Sequence, residues 1–78
     1  MKREELLKIL DKMPLRELQK ECARAQVVLD WNLIGDLSSK TKYDSRLYYK
    51  KVIEIYYQIY GNLPSVEGPG KNVKLLYE

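Results

Sequence analysis

Cys22 is the one side chain here suited to covalent chemistry; it is the only cysteine, and the sequence has no histidine. A thiol attacks as its thiolate, so a nucleophilic cysteine needs a base beside it to take the proton. The commonest such base, imidazole, is missing. Cys22 also falls in an apolar row at helical spacing, where a small buried thiol is expected. The same two counts exclude the usual Cys/His zinc sites. The carboxylates are scattered among lysines and arginines, and no spacing sets two of them across a substrate. Neither an enzyme nor a cofactor, metal ion or small-molecule substrate is therefore expected.

Gly68-Pro69-Gly70-Lys71 invites comparison with a phosphate-binding loop. That loop needs two glycines separated by four residues, then Lys and Ser or Thr, between a strand and a helix. Here the glycines flank a single proline and Asn72 follows the lysine, so the segment is expected to be a flexible turn.

Two patterns point to binding instead. The first is basic. Lys40, Lys42, Arg46, Lys50 and Lys51 stand against Asp44 alone between Leu37 and Lys51, a local charge of +4 in a chain of net charge +3. Together with Ser38, Ser39, Thr41, Tyr43 and Ser45 they are the donors that phosphate oxygens recruit, in a loop leading to a helix start. Were that helix to enter a DNA groove, Arg46, Tyr49 and Lys50 would reach it first. Arg16, Lys20 and Arg24 form a second basic row upstream. A solvated charged face fits the same residues.

The second pattern is aromatic. The chain has seven tyrosines and no phenylalanine. Tyr48, Tyr49, Tyr56, Tyr57 and Tyr60 all fall in one helical stretch. Tyrosine suits a surface that is buried against something while its hydroxyl stays wet or paired. Tyr48, Tyr56 and Tyr60 can line a core. Tyr49 and Tyr57 lie towards the margin of the stripe. With Ile53, Tyr60 and Trp31 they make the expected protein-facing set.

The elements that must position these residues follow from periodicity. A first helix is expected over about Lys2–Lys12, with Leu6, Ile9, Leu10 and Met13 on one side and Leu7 at the margin. Pro14 forces a corner at Met13 and opens a second helix running to about Ile34. Leu15, Leu18, Cys22, Ala25, Leu29 and Leu33 form its narrow seam, and Val27, Trp31 and Ile34 a second apolar side. Gly35 is expected to supply a left-handed stop. Asp36 to Tyr43 reads as a connection, longer than the turn of a helix-turn-helix. Asp44 is the expected N-cap of a third helix over Ser45–Tyr60, ended by Gly61 and Pro64. Its apolar stripe covers more than half the circumference, leaving Lys50, Lys51, Glu54 and Gln58, with Leu47 among them, as the polar side.

The expected fold is all-α: a small three-helix bundle over residues 1–61 with an irregular C-terminal tail, 62–78, whose Val73, Leu75, Leu76 and Tyr77 can pack back or meet a partner. At 78 residues the chain buries a small core, so self-association would help it. No stretch resembles a signal peptide or reaches the length of a membrane span, which sets the expectation of a cytoplasmic protein. The expected function is a protein-interaction module: a regulator, inhibitor or accessory subunit working through the Tyr-rich helix, on another protein or as a homodimer. The alternative is nucleic-acid binding through residues 38–51.

Overall fold

The computed structural model describes residues 2–64, and among them all regular structure is helical. The order is α1 (Arg3–Lys12), α2 (Leu15–Val28), α3 (Trp31–Gly35), α4 (Ser39–Tyr43) and α5 (Ser45–Tyr60). The all-α expectation holds. The expected three helices become five, because the second breaks and the connection coils.

Helix α1 carries Glu4 and Glu5 in its first turn and Lys12 in its last, the signs that complement the helix dipole. Leu6 and Leu10, one turn apart, are fully buried; Ile9, expected on the same side, is 39% exposed. Met13 is extended, as the residue before a proline should be, and Pro14 sits at the N-cap of α2. Leu18, Cys22 and Ala25 of the α2 seam are then fully buried, whereas Leu15, expected with them, lies in the first turn of α2 and is exposed.

That seam does not run on into α3. Leu29 turns extended and the Asp30 carboxylate caps a new helix, accepting from Asn32 N at 2.8 Å. Aspartate favours such a cap over a helix interior. The break redirects the chain beyond Asp30. Ile34 enters the core, while Leu33, expected on the seam, and Val27 and Trp31, expected with Ile34, remain exposed. Gly35 is helical rather than left-handed, and Asp36 closes α3 with right-handed torsions. Ser38 caps α4 by accepting from Thr41 N at 3.2 Å.

Helix α5 is the hub, packing against α1, α2 and α4. Asp44 caps its start, accepting from Leu47 N at 3.0 Å. Gly61, at φ 74°, caps its end and donates to Tyr57 O at 2.7 Å. The left-handed conformation is one that glycine adopts without strain. Residues 65–78, on which the expected Gly68–Lys71 turn and the apolar end of the expected tail fall, lie outside the described residues.

Candidate interaction surface

Of the five cations in the basic segment, three are engaged within the fold. Arg46 Nη2 donates to the backbone carbonyls of Leu10 at 3.0 Å, Asp11 at 2.7 Å and Met13 at 2.8 Å. These lie in the last turn of α1 and just beyond it, where helix carbonyls run out of intrahelical donors. Lys50 pairs with Asp11. Lys51 lies 3.7 Å from Glu54, which also takes Arg3. Since Arg3 meets Glu54 while Arg46 and Lys50 meet the C-terminal end of α1, α1 and α5 run antiparallel.

Periodicity puts Glu54 on a solvated side, yet it is only 6% exposed. The N-terminal end of α1 covers it and supplies the cation that a buried carboxylate requires. Lys40 and Lys42 remain exposed on α4. In the second basic row, Arg24 is bound to Glu21 at 2.7 Å, whereas Arg16 is exposed. An open cleft of about 260 Å³ is lined by Asp11, Asp44, Arg46, Leu47 and Lys50. Its cations already face carbonyls or a carboxylate.

The aromatic set also divides. Ile53 is fully buried and Tyr49 nearly so, which corrects their inclusion in the protein-facing set. Both belong to the core around Leu18, Cys22, Val52 and Tyr56. Their burial follows from the hub position of α5, whose broad stripe meets α2 on one side while its charged side meets α1. Tyr48 is half-buried and its hydroxyl accepts from Gln26 Nε2 at 3.2 Å. Tyr57 packs against the core from its edge. Tyr60 is largely exposed, its ring 4.7 Å from that of buried Tyr56.

Trp31 alone of the expected protein-facing set stands well into solvent, at 68% exposure. Val27, one turn earlier in sequence, and Leu33 are exposed beside the α2–α3 break. Tyr43, at 89%, ends α4 and is the most exposed large apolar side chain among the described residues. Sequence periodicity missed it, because α4 has no buried residue and hence no apolar stripe to reveal it. The available signal was an aromatic side chain set among lysines.

Among the described residues, three buried or half-buried groups carry shifted proton affinities. Cys22 is fully buried in the core, and desolvation pushes its thiol up to about 12. Burial raises the Glu21 carboxyl against the lowering effect of Arg24, and its Oε2 is buried without a hydrogen-bond partner. Burial, then the charges of Tyr60 and Glu21, raises the Tyr56 phenol.

Among the described residues no group of three or more Cys, Asp or Glu is placed to hold a metal ion, and no helix is long and apolar enough to cross a membrane. No family model matches the chain, and no curated protein or solved structure is significantly similar to it.

Proposed function

We propose that this protein is a non-enzymatic interaction module, a regulator, inhibitor or accessory subunit, that engages a protein partner through exposed apolar side chains at the α2–α3 break. The exposure of Trp31 carries this reading. A chain with one tryptophan places it in water rather than in the core, and tryptophan is the residue most enriched at the energetic centres of protein interfaces. Val27 and Leu33 extend the apolar area on either side of Trp31 in sequence, and Tyr43 and Tyr60 are further exposed rings. The Tyr-rich face of α5, the first candidate from sequence, contributes through its exposed end at Tyr60 and its half-buried edge at Tyr57; Tyr49 and Ile53 serve the core.

A second reading, nucleic-acid binding, is favoured by one observation: Lys40 and Lys42 are exposed on α4, with no ion pair among the described residues. It has less support, because Arg46, Lys50 and Lys51 are held by α1 or by Glu54. One experiment separates the two. The purified chain is immobilised and challenged with native-host lysate at low and moderate salt, alongside Trp31→Ala and Lys40→Ala/Lys42→Ala variants. A protein retained at moderate salt and lost with Trp31→Ala supports the interaction module. Retention of nucleic acid that collapses with salt and with the lysine variant supports the second reading, because phosphate binding releases counterions.

A further inference from the structure

We propose that the partner recognised at the α2–α3 break is a cationic amphipathic segment of another protein, an inference that rests on the interaction-module reading above. The apolar side chains there are embedded in an acidic stretch of an otherwise basic chain. From Ala25 to Ser39 the sequence holds Asp30 and Asp36 and no lysine or arginine, a charge of −2. The remaining residues therefore sum to +5 within the net +3.

Both aspartates are exposed, and they bracket Trp31 and Leu33 in sequence, with Val27 just upstream. The Asp30 carboxylate is held beside Trp31 by its bond to Asn32 N at 2.8 Å. Among the described residues Asp36 makes no side-chain hydrogen bond or ion pair, and it is exposed. Apolar side chains flanked by carboxylates match a ligand face that carries both apolar groups and cations. A second copy of the chain fits less well. A two-fold contact centred on Trp31 would bring Asp30, the N-cap adjoining it, towards its own symmetry mate, like charge against like.

The probe is a synthetic peptide of leucine and lysine with leucines at helical spacing, and its counterpart has glutamate in place of lysine. Trp31 reports directly, being the only tryptophan. The full chain titrated with the Leu/Lys peptide should give a saturable blue shift of tryptophan emission, weakened by salt. The Leu/Glu peptide should give little. Asp30→Asn/Asp36→Asn should weaken Leu/Lys binding by about five-fold, the scale of two exposed charge interactions. Asparagine caps a helix as well as aspartate does, so α3 is kept. Glu4→Gln/Glu5→Gln, which removes the same charge from α1, should leave binding unchanged.

Equal binding of the two peptides, or equal weakening by both double variants, overturns the cationic assignment while leaving an apolar docking site. No response of Trp31 to either peptide overturns the inference together with the reading beneath it. A blue shift that appears on concentrating the chain alone identifies a second copy as the occupant and overturns it as well.

Discussion

Arg46 reaches 35 residues back along the chain to donate from Nη2 to the backbone carbonyl of Asp11 at 2.7 Å. It thereby ties the first turn of α5 to the end of α1, a helix terminus whose negative dipole end favours a cation. Three carbonyls share that one nitrogen. Arg46→Ala should lower stability by about 2–3 kcal/mol, the range for charge-assisted hydrogen bonds at a partly buried site. Arg46→Lys should recover part of this, since an ammonium keeps the charge without the planar fork. Urea melts followed by circular dichroism measure both. Arg46 is therefore unsuited to testing nucleic-acid binding, where loss of fold would pass for loss of contact; Lys40 and Lys42 are the sites to change.

Gln26 is buried, and its Nε2 reaches Tyr48 OH at 3.2 Å across the α2–α5 contact. Tyr48→Phe keeps the ring and deletes the acceptor, leaving a buried amide donor unpaired. A loss of about 1–2 kcal/mol is expected. Gln26→Leu in the Tyr48→Phe background removes the orphaned donor and should restore much of the loss. A double-mutant cycle by thermal or chemical melts gives the coupling.

Glu21 sets a pH dependence whose sign is opposite to that of an ordinary salt-bridged carboxylate. Burial raises its folded-state pKa above the 4.5 of the free group. Between 4.5 and that raised value the folded chain binds more protons than the unfolded one, so this group's contribution to stability falls as pH rises through the window. Glu21→Gln should flatten the stability profile just above pH 4.5 and leave the protein at least as stable at pH 7. Urea midpoints measured across pH 4–7 for both chains check it. A wild-type profile that instead rises through the window, and flattens in the variant, would mean that Arg24 rather than desolvation dominates.

The features legible in the sequence were those decided by local chemistry. Pro14 fixes the corner because a proline ring constrains its own torsion and its neighbour's. Asp44 and Gly61 bound α5 because a carboxylate caps orphan N–H groups and glycine tolerates positive φ. The break at Leu29–Asp30 was hidden, since Leu29 and Leu33 continue the seam and periodicity alone does not see a competing cap. Helix α4 was hidden because it buries nothing. The interaction surface was misplaced for a different reason. The apolar stripe on α5 covers more than half its circumference, and only the long-range contacts of Arg3, Arg46 and Lys50 show that α1 lies across its charged side. Trp31 remains a candidate because the break turns it away from the core that a continuous helix would have made it flank.

Desolvation at Cys22 predicts kinetic protection. With its pKa pushed up to about 12, the thiolate fraction at pH 8 is minute and the sulfur is also sterically enclosed. A disulfide reagent at pH 8 should react with the native chain only as fast as it opens. Added urea below the midpoint should accelerate labelling in step with the falling stability. Prompt stoichiometric labelling of the folded protein would place the thiol at the surface and contradict the packing of α2 on α5.

Two positions from the same expected interface should part completely. Ile53 is fully enclosed, so Ile53→Ala removes core methylenes and leaves a cavity; a loss of about 3 kcal/mol is expected. Trp31 touches mainly water, so Trp31→Ala should shift stability by no more than about 0.5 kcal/mol despite deleting the largest side chain in the sequence. The two variants thus separate fold from function. If Trp31→Ala abolishes partner capture while melting like the wild type, the lost binding belongs to the surface. If it melts as early as Ile53→Ala, the ring is packed in solution, and the exposed apolar site at the α2–α3 break loses its anchor.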